Sequence, residues 1–178
     1  MPNDDLRYAF DIPVPITVER AVDDARRLKD DGVPRQEILT QLARAGERLA
    51  GPDAAVSILV LDDDGLLRNG ASPSLPDDYL AAIDRLKPDA NVGTCAAAAA
   101  TGSVVHTPDF LADNKWAELR HLPCSLGYVG AWSMPIKSPQ GAVLGTFGTY
   151  YRTRQTPTEV EHRGIERLAA AAAVVIAD

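Results

Sequence analysis

Two cysteines are the side chains best suited to chemistry in this 178-residue chain. Cys95 follows Gly93-Thr94 and heads the alanine run Ala96–Ala100, which reads as a short helix. A thiol at a helix N-terminus sits in partial positive charge, so a lowered pKa is expected there. Cys124 lies in a loop before a strand expected from Gly127 to Ile136. Without secretion signals, two cysteines in a chain of this size read as reduced thiols, and buried packing is the bland reading of both. His106, His121 and His162 fall on a strand, a loop and a polar helix face. Together with the cysteines they show no metal-ligand spacing, so no metal is expected. A lone strand histidine without a second axial ligand or a C-x-x-C-H motif argues against haem. Asp62-Asp63-Asp64 lacks the ligand pattern of a calcium loop and reads as a turn.

The elements that must position these groups follow from periodicity. Residues 1–16, with Pro2, Pro13 and Pro15, read as an extended arm, and 17–178 as one domain. Thr17 is placed to cap a helix through about Asp31, which Gly32-Val33-Pro34 stops. Ile38, Leu42, Ala45 and Leu49 carry a second helix over 35–50. Ala55–Leu61 is a buried strand, and Asp62–Gly65 turns it into Leu66-Leu67-Arg68. Pro76-Asp77-Asp78 opens a helix to Leu86, and Val104–Thr107 is a β-branched strand ending at Pro108-Asp109. Asp109 can cap a helical segment over 110–120 that carries Trp116. Two further strands meet across Lys137–Gly141, and Pro157-Thr158-Glu159 starts a last helix bearing Ile165, Leu168, Ala172, Val175 and Ile176. The order ααββααβαββα uses hairpins instead of βαβ crossovers. It predicts an α+β fold, an antiparallel sheet of five to six strands with helices on both faces.

Charge narrows the partners. The net charge is −7, and Arg26-Arg27 and Arg152/Arg154, the densest basic pairs, sit among acids. Neither nucleic acid nor an anionic membrane surface suits such a chain. Leu168–Ala177 is too short to span a bilayer, and the acidic start Met1–Asp5 is unlike a targeting segment, so a cytoplasmic location is expected.

Three motifs add a family resemblance. Gly93-Thr94-Cys95 and its alanines to Gly102, the Asp113-Asn114-Lys115-Trp116 turn, and the strand Trp132-Ser133-Met134-Pro135-Ile136 occur in one order. Residues 35–178 so arranged resemble a GAF domain, the PAS-like sensor module of bacterial signalling proteins. The resemblance implies a non-enzymatic sensor with a small-ligand pocket between the sheet and the loops carrying Cys95, Trp116 and Cys124. It also implies terminal helices that pair in a homodimer and pass the ligand state to an output domain or partner. No kinase, cyclase or helix-turn-helix signature is present, and the helical pattern still runs at Asp178, consistent with a sensor portion of a longer protein.

One enzyme on this fold, free methionine-(R)-sulfoxide reductase, uses cysteines in the same two regions. That likeness implies Cys124 as catalytic thiol and Cys95 as resolving partner. Its strand glutamate falls at Ala131, however, and its two aspartates at Gly148 and Tyr150. Ala131 and Tyr150 then face the pocket, and strand alternation adds Ser133, Thr146 and Gly148 to that face. Trp132, Met134 and Phe147 turn the other way. Small Ala131 and Gly148 leave room, while Tyr128, Tyr150, Ser133 and Thr146 offer hydroxyls, which suits a neutral, moderately apolar ligand. No arginine stands in the pocket strands for a cyclic nucleotide; the Gly93-Thr94-Cys95 amides are the remaining anion feature. Bilin-binding relatives follow their cysteine with His, whereas Ala96 and Ser125 stand here. A dimerising scaffold with an empty pocket is the third reading.

Overall fold

Strands β1 (Ala55–Leu61), β2 (Leu67–Ala71), β3 (Val105–Thr107), β4 (Gly130–Lys137) and β5 (Val143–Tyr151) form one antiparallel sheet in the order β2-β1-β5-β4-β3. The computed structural model describes residues 13–177, so the expected arm lies largely outside the described residues. Tight turns set the sheet's registers. Asp62 Oδ1 accepts from the backbone of Asp64 and Leu66, which closes the β1–β2 turn and pairs Leu61 with Leu67. Ser138 and Ala142 close the β4–β5 hairpin, in which Ser133 faces Gly148 and Ala131 faces Tyr150.

Three long helices cover one face of the sheet. They are α1 (Ile16–Asp30), α2 (Arg35–Ala50) and the C-terminal α6 (Glu159–Ile176). Their apolar stripes, including Val22, Leu39, Leu42, Ile165 and Leu168, bury against Val56, Ile58, Trp132, Met134 and Phe147. Each such side chain removed from water contributes about 1.5–3 kcal/mol. Gly164 lets α6 lie close to α2, since a Cβ there would collide with Leu49. At the surface Arg167 holds both carboxylate oxygens of Glu19, at 3.0 and 2.9 Å, and joins α6 to α1.

Several boundaries differ from expectation for local reasons. Helix α1 starts at Ile16 and is not capped by Thr17; the Pro15 carbonyl accepts from Val18 and Glu19 instead. The helix opened by Pro76, α3 (Asp77–Ala82), ends four residues early. Arg85 takes a left-handed φ of 60°, which turns the chain so that the Leu86 carbonyl accepts from Leu67 N. Residues 110–120 are not one helix but two 3₁₀ turns, Phe110–Ala112 and Asn114–Trp116, followed by α5 (His121–Ser125). Asp109 and Asp113 accept from Leu111 N and Lys115 N, and two such caps four residues apart prevent a continuous helix. Helix α6 ends at Ile176, short of Asp178, which lies outside the described residues. The alanine run forms α4 (Cys95–Thr101), closed by Gly102 at φ 66°. It lies with α3, α5 and the 3₁₀ turns on the second face.

Candidate functional site

The second sheet face carries the predicted residues. In β4 and β5 the alternation that buries Trp132, Met134 and Phe147 under the long helices turns Ala131, Ser133, Thr146, Gly148 and Tyr150 toward α4 and its loops. The structure divides them between two adjoining clusters, one polar and one aromatic.

The polar cluster centres on Cys95. Its thiol hydrogen-bonds Ser133 Oγ at 3.0 Å, and Ser133 donates onward to Thr94 Oγ1 at 2.9 Å. All three residues are buried. The Thr146 hydroxyl lies close enough to favour the thiolate slightly, yet it makes no hydrogen bond of good geometry and is unpartnered. Burial dominates the thiol itself and pushes its pKa up, against the lowered value expected from the helix terminus. The desolvation of a fully buried sulfur outweighs one short turn's partial charge, so Cys95 rests as a neutral thiol. Further along the same face, Ser57 donates to Ser72 Oγ at 2.9 Å, and Ser72 donates to Asn69 at 2.7 Å.

The aromatic cluster contains Trp116, Tyr128, Ala131 and Tyr150, with Cys124 packed half-buried at its margin. Tyr79 and Phe110, which sequence reasoning did not single out, complete it. The Tyr79 and Tyr150 hydroxyls share a 2.7 Å hydrogen bond, and burial pushes both phenols up. Tyr79 and Ile83 at helical i,i+4 spacing after Pro76 were the available signal. Trp116 packs against Phe110 at a tilt, ring centroids 4.4 Å apart, and packs over Gly93, while Gly93 N donates to the Lys115 carbonyl at 2.8 Å. Trp116 therefore clamps the loop to the head of α4. Its own indole N–H is buried and unpartnered. The Gly93 amide, expected to be free for an anion, is spent on that clamp.

Two further expectations are corrected. Gly148 does not leave room: a Cβ on it would lie 2.9 Å from Cys95 Sγ, so the sulfur fills the space over the strand. Ala131 is likewise packed within the aromatic cluster. His106 stacks on Trp132 at the opposite face; His162 of α6 stacks on the same indole, and the ring centroids lie 5.6 and 5.4 Å away. Trp132 Nε1 donates to Tyr151 OH at 2.9 Å, and that phenol donates to the buried Glu161. None of the five strands contains Asp or Glu, so the sheet offers no carboxylate for a substrate ammonium.

A five-stranded antiparallel sheet with a three-helix layer on one face and a short helix, loops and a buried polar cluster on the other is the architecture of a PAS-like sensory domain. The sequence matches the GAF domain family over residues 33–177, and the chain belongs to that family. It is 32% identical over 146 residues to a methyl sulfide methyltransferase-associated sensor of Methanosarcina acetivorans. That match covers 82% of this chain but only 14% of the relative's length. The GAF domain of a phosphoenolpyruvate-protein phosphotransferase from Coxiella burnetii superimposes with a TM-score of 0.72 at 19% identity, covering 91% of this chain and 94% of that one. A type II free methionine-R-sulfoxide reductase from Thermoplasma acidophilum shares the fold, with a TM-score of 0.62 at 17% identity over 80% of this chain and 95% of that one.

Proposed function

We propose that this chain is a sensory GAF domain that binds a small, uncharged, partly apolar molecule between the sheet and the Cys95–Trp116 cover. The observation that carries the reading is a pair of buried polar atoms without partners, Thr146 Oγ1 and Trp116 Nε1, on the ligand side of the fold. Burying an unpaired polar group costs about 1–3 kcal/mol, a cost that a ligand supplying an acceptor to each would remove. Family membership and the sensor-named relative support the same role. The side chains now fill one another's space, so the ligand enters by displacing the cover: Trp116 swings from Gly93 and α4 rises from Gly148. The ligand shifts that equilibrium by its differential affinity for the opened state. Helix α4 touches β4 and β5, whose other face carries α6, and so the shift reaches the terminal helices that would pair in a homodimer and contact an output domain.

Thr146→Val tests the reading, since it removes the unpartnered hydroxyl with little change of shape. Wild type and variant are incubated with a small-molecule cell extract and compared by native mass spectrometry. The wild type is expected to retain a molecule that the variant retains at least tenfold less, while the variant melts at the same or a higher temperature. Equal retention, or none by the wild type, would sink the proposal.

The reductase reading is weaker here. Cys95 is buried and neutral, Cys124 belongs to the other cluster, and no strand carboxylate stands at Ala131, Gly148 or Tyr150. A sensor with two inert thiols accounts better for this arrangement.

A further inference from the structure

Helices α1 and α2 enclose a groove of about 310 Å³ on the face of the molecule opposite Cys95. Thr17, Arg20 and Asp24 line it from α1, and Gln41, Arg44 and Arg48 from α2. Each triplet has the i, i+3, i+7 spacing that keeps it on one side of its helix. Seven other arginines among the described residues are committed. Arg27, Arg68, Arg154, Arg163 and Arg167 each hold a carboxylate, while Arg120 and Arg152 each hold a backbone carbonyl. Arg20, Arg44 and Arg48 have no ion pair or hydrogen bond among the described residues. The one acid in the groove does not neutralise them, because Asp24 is taken by Arg27 at 2.7 Å.

We propose that this groove binds a phosphate-bearing small molecule, such as one carrying a diphosphate, between the two N-terminal helices. Three guanidiniums gathered in one concavity repel each other, and an anion relieves that repulsion. A planar guanidinium fork matches phosphoryl oxygens two at a time, and three forks exceed what a single carboxylate can use. The Thr17 hydroxyl and the Gln41 amide add neutral donors. The volume lies at the lower end of the range of small-molecule sites, more than one phosphate fills. A nucleic acid is a poor fit, since the basic surface stops at three side chains on a protein of net charge −7. A bound diphosphate ties α1 to α2, and the Glu19–Arg167 pair already ties α1 to α6. The site is thus a second input to the same helical layer, independent of the ligand beneath Cys95.

Titration calorimetry with inorganic pyrophosphate on the full chain tests this, at low salt and again near physiological ionic strength. Saturable one-to-one binding is expected, weakening with salt as a partly screened charge contact should. R44Q/R48Q is expected to bind at least tenfold more weakly with an unchanged melting curve, because both side chains are exposed. R44K/R48K, which keeps the charge and loses the forks, is expected to bind several-fold more weakly. No saturable heat, equal affinity in R44Q/R48Q, or tighter binding of citrate than of pyrophosphate would overturn the assignment.

Discussion

Replacing Gly148 by alanine probes how the ligand face is closed. The new methyl would stand 2.9 Å from Cys95 Sγ, 3.4 Å from Ser133 Oγ and 3.5 Å from the Ser57 carbonyl. Ordinary contacts between such atoms lie near 3.5–4.0 Å, so only the sulfur is seriously in the way. Cys95 is buried and anchored through its 3.0 Å contact with Ser133, so it yields only by disturbing α4. Overpacking of this kind costs about 1–3 kcal/mol. The alanine also narrows the unfolded ensemble, which returns about 0.4–1 kcal/mol, so a net loss of about 1–2 kcal/mol is expected. That corresponds to a midpoint roughly 2–8 °C lower for a domain of this size. Cys95→Ala alone should cost about 1–2 kcal/mol through the lost sulfur contacts and the void. In the Cys95→Ala background the obstacle is gone, so Gly148→Ala should be neutral or stabilising there. Urea titrations followed by far-ultraviolet circular dichroism on all four proteins give the coupling, expected at about 1–3 kcal/mol. Additivity within about 0.5 kcal/mol would refute the claim that the Cys95 sulfur occupies the space above Gly148.

Other expectations concern acidity, reactivity and the helical layer. Burial and the nearby His162 lower the His106 pKa, so its contribution is present above the ordinary value of 6.5 and is lost as pH falls through the folded value. Burial raises the Glu161 pKa, only partly offset by the Tyr151 hydrogen bond, so its contribution is complete below 4.5 and is lost as pH rises through the folded value. The two contributions run in opposite directions between about pH 4.5 and 6.5 and offset each other in the wild type; H106Q should leave stability falling as pH rises through that window and E161Q should leave it rising, in melts recorded across pH 4–8. Toward an aromatic disulfide reagent, half-buried Cys124 should react at least tenfold faster than Cys95, and C124S should leave a slow phase that urea accelerates. Leu168→Ala, at a fully buried position beneath α6, should cost about 2–5 kcal/mol by urea titration.

Long elements were legible because their periodicity is redundant. The second helix was bounded at 35–50 and β1 at 55–61, where apolar spacing and Gly/Pro stops agree. The two faces of β4 and β5 were also legible, since alternation leaves no freedom once Trp132 and Phe147 are buried. The segment from 110 to 125 was not. Its pattern is helix-like, but the Asp109 and Asp113 side chains compete for the backbone and cut it into separate turns. The closed state of the site was also hidden. Small residues at Ala131 and Gly148 suggest space, and only the height of α4 above the sheet shows that Cys95 uses it. The partnership of Tyr79 with Tyr150 crosses 71 positions, and no local pattern encodes it.

Trp132 stacks with two imidazoles while Trp116 sits on the other side of the sheet, and the chain has no third tryptophan. An excited indole gives up an electron to a protonated imidazole, so the light emitted by Trp132 should dim as His106 or His162 takes a proton or tightens its stack. Among the described residues no imidazole stacks on Trp116, which answers instead to the polarity of the loop that covers it. The molecule therefore carries one optical reporter for each face. Trp116→Phe would leave the emission reporting the helical layer, and Trp132→Phe would leave it reporting the cover, so the spread of a disturbance through the sheet becomes a difference between two spectra.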